Sequence, residues 1–350
     1  MLRLVYKSCI IIICLTVISP AYSGNRDVEK RKVVERNYTV DEDVLLSIEN
    51  RFGKVHINTW DKNEMDIRVE VIARRRTESR AQELLDKIEI KIDESSSTKR
   101  FVTDLQGSIN NKNSESYEIN YTINMPSNNP LELKNSFGDA YIGDISGDVN
   151  LKISYGDIQT KNLTGKSDIK LSFGDGEFES ISTGEIDVKY SDMDVQKLGV
   201  VRIEQGFSDL KITEAESIDL RSKYGDVEIG SIKGIRGYVG FSDFSIDKLW
   251  YEMDMETSYA GGFEVEEVSK EFKKVIVEGK FGSFTFGFEE GTNGRFEAKL
   301  KFCDFKYYGD ELDIHYRVKE DFRSEYRGKF GNGEGGEVRI VSSYGDVKFR

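Results

Sequence analysis

Through the middle of the chain apolar and polar residues alternate, as in Val149, Leu151 and Ile153 or Ile169 and Leu171. This two-residue period marks a strand with one buried face. The alternation is broken at near-regular intervals by an aromatic residue, then Gly or Ser, then Asp. The marks are Phe137-Gly138-Asp139, Tyr155-Gly156-Asp157, Phe173-Gly174-Asp175, Tyr190-Ser191-Asp192, Phe207-Ser208-Asp209, Tyr224-Gly225-Asp226, Phe241-Ser242-Asp243 and Tyr259-Ala260-Gly261. Their aromatic-to-aromatic spacings are 18, 18, 17, 17, 17, 17 and 18 residues. Degenerate copies follow at Phe281-Gly282-Ser283, Phe302-Cys303-Asp304, Phe330-Gly331-Asn332 and Tyr344-Gly345-Asp346, and an outlying early one stands at Phe52-Gly53-Lys54. About eight residues after an aromatic comes an apolar residue, often before a Gly or Ser turn: Ile145, Leu163, Ile181, Leu198, Ile232 and Leu249. One unit therefore reads as strand, bend, strand, turn.

A unit of this length cannot bury an apolar face alone, so units must stack, and stacking like strands in register gives parallel sheets around a continuous core. The expected fold class is all-β, a parallel β-helix or β-solenoid. A propeller blade would need about 40 residues or more. The aromatic alternates Phe, Tyr, Phe, Tyr through eight copies. That leaves open a coil of two units with separate Phe and Tyr columns, or a coil of one unit with an alternating ladder.

The flanks keep strand signals without the tight period. Val44, Leu46 and Ile48, then Val55 and Ile57, then Ile67, Val69 and Val71, then Ile88, Ile90 and Ile92 alternate, and Tyr117, Ile119, Tyr121 and Ile123 make another strand ending at Pro126. The segment Glu78 to Leu85 predicts a short helix with Thr77 as its N-cap and Ala81, Leu84 and Leu85 on one face. Ser95–Ser97 and Gly107–Ser116 read as mobile surface loops. Because the open end of a solenoid invites strand pairing with other chains, residues 24–135 are expected to form a β cap with one short helix, continuous with the solenoid. Regular coils are expected over 136–270. Less regular coils and a cap follow over 271–350, with Val338 to Phe349 as a closing strand pair.

Residues 1–23 carry Arg3 and Lys7, an apolar run from Cys9 to Ile18, then Pro20, Ala21 and Ser23. This order predicts a cleavable secretory signal, and the run of about ten residues is too short to span a bilayer. A lipid-modified Cys14 would need small residues before it, where Ile12 and Ile13 stand. Cleavage after Ser23 leaves Cys303 as the one cysteine, so the fold has to be held without an intramolecular disulfide. The net charge of −13 becomes −15 once Arg3 and Lys7 are gone, which disfavours nucleic acid and anionic lipid as partners. No transmembrane span is expected after cleavage.

Catalytic and metal signatures are sparse. The two histidines, His56 and His315, have no second His or Cys at ligand spacing, which argues against structural zinc. Neither a nucleophile elbow nor a phosphate or dinucleotide loop occurs. The repeated aspartates would stack in columns about 4.8 Å apart, where neighbouring charges repel by roughly 0.9 kcal/mol even in water. Each Asp is expected to accept hydrogen bonds from amides of its own turn, with the preceding Gly or Ser supplying a permissive backbone and nearby Lys residues screening the charge. Calcium between rungs is the sharper alternative, but the glycine-rich nonapeptide of calcium-binding β-rolls is missing. The repeated aromatics are expected to form core or edge stacks. Trp60, Trp250 and Tyr251 fall outside the repeat and offer either packing or sugar stacking.

The segment Phe52-Gly53-Lys54-Val55-His56-Ile57, the strand Tyr117 to Pro126 and the serial aromatic-Gly/Ser-Asp units resemble the bacterial putative-adhesin family of β-strand-repeat envelope proteins, a domain of unknown function. The resemblance covers nearly the whole mature chain. It implies a right-handed β-solenoid exported across the inner membrane, in the periplasm, at the outer membrane or on the cell surface, and brings no catalytic residue and no cofactor. The first expectation is a non-enzymatic adhesin or binding scaffold whose partner is a protein or polysaccharide of the envelope or cell surface. An accessory envelope-signalling protein is the alternative. A carbohydrate-active β-helix enzyme would need clustered Asp, Arg or Lys on one sheet face, whereas Lys and Glu here are scattered. The repeat triplets are thus expected to be structural turns, with function where the repeat is broken.

Overall fold

The computed structural model describes residues 28–107, 116–308 and 312–350. The expected signal segment and all but the ends of the 107–116 run lie outside the described residues. The described residues form strands and one helix, in two compact units. The first comprises residues up to Gly147 with Ile153–Asp157, and the second comprises Asp148–Lys152 with Ile158–Arg350.

The second unit shows how the repeat folds. Strand Gly176–Lys189 lies parallel to Met193–Gly206, with Gly176 opposite Met193 and Lys189 opposite Gly206. The same offset relates Met193–Gly206 to Leu210–Lys223, and that strand to Val227–Gly240. One unit is therefore one complete coil, and the Phe and Tyr marks share a single column. In Gly176–Lys189 the inward side chains are Phe178, Ile181, Ile186 and Val188, all buried. The column expected eight residues beyond each aromatic is buried throughout and sits inside the bent strand: Leu163, Ile181, Leu198, Ile232 and Leu249. Each such side chain contributes about 1.5–3 kcal/mol of burial. Where a unit is one residue longer, a bulge absorbs the excess. Register shifts lie between Leu163 and Lys166, and opposite Leu249–Glu252, the latter holding Trp250 and Tyr251.

Beyond Tyr259 spatial order departs from chain order. Strand Lys274–Lys280 pairs in parallel with Gly336–Ser343, which pairs in parallel with Gly294–Lys301 on its other edge. Val347–Phe349 likewise lies between Ser283–Phe288 and Phe305–Tyr307. The expected closing strand pair, Val338 to Phe349, is thus an interior rung. The hairpin of Leu312–Glu320 and Arg323–Phe330 closes this end instead, pairing antiparallel with Gly294–Lys301. Phe330 is buried in that hairpin and is not a copy of the repeat mark; the left-handed residue there is Gly331, at φ 50°.

The first unit shows a matching inversion. Leu45–Arg51 lies in parallel between Thr98–Leu105 and Leu131–Ser136, and Val55–Trp60 lies between Ser116–Pro126 and Ala140–Ile142. Antiparallel pairs flank this stack: Glu64–Arg75 joins Ser116–Pro126 to Val28–Thr39, and Ile88–Glu94 pairs with Thr98–Leu105. Residues 95–97, all exposed, form the tight turn of that last hairpin, with a bond from the Ser95 amide to the Thr98 carbonyl at 2.9 Å. The helix spans Glu78–Lys87; Thr77 caps it by accepting from the Arg80 amide at 3.4 Å, and Ala81, Leu84 and Leu85 are buried. Two buried asparagines occupy the position two residues before the aromatic mark. Asn50 Nδ2 donates to Asn135 Oδ1 at 3.2 Å and to the Ile119 carbonyl at 3.0 Å, Asn135 Nδ2 donates to the Gly138 carbonyl at 2.7 Å, and Thr103 Oγ1 donates to Asn50 Oδ1 at 3.0 Å. Tyr121 closes the network against Thr103 at 3.0 Å, and burial pushes its hydroxyl up to about 12.

Candidate functional site

Each aromatic of the repeat stands at a corner of its coil and adopts a left-handed backbone, from φ 54° at Tyr190 and Tyr259 to 61° at Phe52 and Tyr344. The expectation that Gly or Ser supplies the permissive backbone is therefore corrected: the aromatic itself turns. A non-glycine residue in this region costs about 1–2 kcal/mol, and aromatic contacts return about 0.5–1.5 kcal/mol per pair. The following glycine has a different role. A Cβ on Gly225 would stand 1.9 Å from the Ser208 carbonyl oxygen, and one on Gly138 would stand 2.1 Å from that of Gly53. Glycine there permits neighbouring coils to approach. Where serine replaces it, the hydroxyl joins the stack: Ser208 Oγ receives the Ser191 amide at 3.0 Å and donates to the Gly206 carbonyl at 3.0 Å.

The left-handed turn points the ring outward, and successive rings stack face to face. In the second unit, Phe173, Tyr190, Phe207, Tyr224, Phe241, Tyr259, Phe281, Tyr344 and Phe302 form one ladder with centroid steps of 4.7–5.1 Å and interplanar angles of 4–16°. The nine side chains remain 42–53% exposed. The first unit holds a shorter ladder of Phe52, Phe137 and Tyr155, with steps of 5.0 and 4.9 Å. Of the two expected locations, core or edge, the aromatics take the edge.

The aspartates behave otherwise than expected. Three in succession bridge to the next coil: Asp209 Oδ1 accepts the Asp226 amide at 2.8 Å, Asp226 Oδ1 accepts the Asp243 amide at 3.0 Å, and Asp243 Oδ1 accepts the Gly262 amide at 2.8 Å. The first unit repeats this with Asp139 and the Asp157 amide at 3.4 Å. A coil corner has amides that the parallel ladder does not use, and the carboxylate fills that need. Lysine offsets charge at Asp139, from Lys54 at 3.1 Å, and at Asp346, from Lys306 at 2.8 Å. Lys306 and the Asp304 amide together hold the Asp346 carboxyl below the usual carboxylate range. Among the described residues no group of three His, Cys, Asp or Glu side chains is arranged to hold a metal ion.

The other singled-out residues do not converge. His56 Nε2 lies 3.0 Å from Asn58 Oδ1 and its ring stacks on Tyr141 at 5.7 Å, while His315 is exposed on Leu312–Glu320. Trp60 donates to the Glu64 carbonyl at 2.8 Å with the Lys62 ammonium 4.6 Å from its ring, and Trp250 donates to Ser231 Oγ at 2.9 Å with Lys248 4.5 Å away. Each indole therefore has one face occupied, which leaves less ring for a sugar. Cys303 Sγ receives the Gly345 amide at 3.2 Å. An open polar groove of about 730 Å³ runs across the coils beside Asn162, Ser180, Gln196 and Glu214. No described helix is long and apolar enough to cross a membrane.

No family model matches the chain, and no curated protein does. Solved structures similar to it include a putative cell adhesion protein from Clostridium sporogenes, at 14% identity over 91% of this chain and 99% of that one, with a TM-score of 0.19. A putative adhesin from Bacteroides fragilis is similar at 12% identity over 91% and 97% of the two chains, with a TM-score of 0.28. A putative lipid binding protein from Parabacteroides distasonis is similar at 11% identity over 91% and 96%, also with a TM-score of 0.28.

Proposed function

We propose that this chain is a non-enzymatic, exported binding scaffold of the cell envelope, and that its contact face is the exposed aromatic ladder. The observation that carries the reading is the ladder itself. Nine half-exposed rings in one uninterrupted column exceed what a folded surface needs, since scattered apolar side chains are normal on a monomer and a contiguous strip marks an interaction site. The solenoid supplies rigidity: parallel hydrogen bonds, the buried columns beneath and the inter-coil aspartate bonds fix the rings before any partner arrives, so little ordering opposes binding.

The test compares wild type with the double variant Phe207→Asn and Phe241→Asn for binding to isolated cell envelopes and to a polysaccharide array. Asparagine is chosen because it tolerates a left-handed backbone better than other residues with a side chain. Loss of binding in the double variant, with an unchanged circular dichroism spectrum, supports the reading. Undiminished binding by a double variant whose association state is also unchanged, or turnover of any polysaccharide in the array, overturns it.

A further inference from the structure

We infer that the partner of the ladder is a second copy of this chain, docked ring edge against ring edge along the second unit, an inference that rests on the reading of the ladder as the contact face. The stacking decides which part of each ring is on offer. With planes 4–16° apart and centroids 4.7–5.1 Å apart, neighbours cover the ring faces. What reaches solvent is the hydrogen-bearing rim and, at every second step, a tyrosine hydroxyl. Ligands that need a ring face, sugars among them, find none along the column.

The size of the strip suits a dimer. An aromatic side chain carries roughly 150–250 Å², so nine rings about half exposed present on the order of 900 Å². That is more than the 300–600 Å² of the largest apolar patch on a typical monomer and close to the roughly 800 Å² that each partner contributes to a stable interface.

The period selects the occupant. Same-face side chains of an extended peptide recur about every 6.6–6.8 Å, out of step with the ladder within two coils. A second copy has the ladder's own step. It also has the ladder's own order, because Phe and Tyr alternate in space even where chain order is broken: Tyr344 lies between Phe281 and Phe302. The hydroxyls of Tyr190, Tyr224, Tyr259 and Tyr344 make no hydrogen bond among the described residues. With two copies side by side and coil facing coil, Tyr meets Tyr and Phe meets Phe. Each hydroxyl then has its counterpart as donor or acceptor, in an isologous interface. The net charge of −13 opposes this approach, so added salt strengthens the contact by screening.

Sedimentation equilibrium of the full secreted chain, run at low and high salt, tests the inference with three proteins. These are wild type, Phe207→Asn/Phe241→Asn, and Val200→Asn, which changes an exposed apolar residue outside the ladder. The expected result is a wild-type dimer that tightens with salt, an unchanged Val200→Asn dimer, and at least about tenfold weaker association of the double variant. Photo-oxidative coupling of wild type should also yield dityrosine joining Tyr224 to its counterpart. A wild type that stays monomeric up to about 1 mM overturns the inference, and envelope binding then separates the two readings. If the double variant has lost envelope binding, the ladder is a contact face for another partner; if it binds like wild type, both readings fall. A wild-type dimer indifferent to the double substitution and free of dityrosine also overturns the inference, since the copies then meet elsewhere.

Discussion

Replacing Phe207 by glycine and by alanine separates the two opposed energies at the coil corner. The residue sits at φ 55° between Tyr190, 5.1 Å away, and Tyr224, 4.8 Å away. Either substitution removes both stacks, about 1–3 kcal/mol at 0.5–1.5 kcal/mol per pair. Either also removes roughly 1 kcal/mol from the half of the side chain that is buried. Alanine keeps the left-handed penalty of about 1–2 kcal/mol, which glycine escapes. Glycine's greater freedom in the unfolded chain returns part of that advantage, about 0.5–1 kcal/mol. The expected order of stability is therefore wild type, then glycine, then alanine, with losses of about 1.5–3.5 and 2–4 kcal/mol. Urea titrations followed by circular dichroism, at protein concentrations low enough to exclude association, measure both losses. A double cycle with Tyr224→Ala should return a coupling of about 0.5–1.5 kcal/mol. An alanine variant as stable as the glycine variant would refute the claim that stacking holds a strained corner.

Further outcomes follow from the same geometry. Gly225→Ala puts a Cβ 1.9 Å from the Ser208 carbonyl oxygen, whereas a Cβ at Gly206 meets nothing within 4 Å; thermal melts should show a loss above about 2 kcal/mol for the first and almost none for the second. Asp226→Ala leaves the Asp243 amide without its acceptor, so urea denaturation should register a loss of about 1–2 kcal/mol. Tyr121 is held neutral by burial up to about 12, against an ordinary 10.0. Its contribution is complete below pH 10 and is lost as pH rises toward 12, about 3 kcal/mol in all at 1.36 per unit. Tyr121→Phe should remove that part of the alkaline loss, as read from melts at pH 9 and above. Calcium added to the chelated protein should leave the melting temperature unchanged, because the turn aspartates spend an oxygen each on a neighbouring amide.

The solenoid was legible because its signal is redundant: buried columns such as Leu163, Ile181 and Leu198 recur every 17 or 18 residues, and only stacking buries them. The N-cap at Thr77 and the helix face of Ala81, Leu84 and Leu85 were legible for a local reason, each being set within one turn of chain. The corner was less so. Alternation counts residues and assumes extended backbone, so it carries no sign of the left-handed turn that points Phe207 outward while Gln205, two residues earlier, stays buried. The aspartate bonds were misplaced for a related reason: a side chain that can close its own turn can equally reach the next coil, and only the distance between coils chooses. The buried Asn50 and Asn135 left no hydrophobic trace at all, although each stands two residues before Phe52 or Phe137, where other copies have Ile153 or Leu171. The same position holds buried Gln205, Ser222 and Thr257 in later copies, so a polar residue there did not by itself set the two asparagines apart.

The order of the coils was beyond periodicity altogether. Spacing assigns each unit to its chain neighbour, yet Gly336–Ser343 inserts between two strands that precede it in the chain, and Leu45–Arg51 lies between two that follow it. The aromatic ladder kept the record. Along the chain the late marks read Phe281, Phe302, Tyr344, which breaks the alternation; in space they read Phe281, Tyr344, Phe302, which restores it. A pattern that survives rearrangement of the chain belongs to the surface and not to the repeat that produced it. Stacking distance gives no reason for this, because two phenylalanines, Phe52 and Phe137, stack at 5.0 Å, within the 4.7–5.1 Å of the mixed Phe–Tyr steps. The difference between the two residues is a hydroxyl at the exposed rim, so an alternation kept in space is a property that a partner meets, and a partner with the same alternation meets it at every coil.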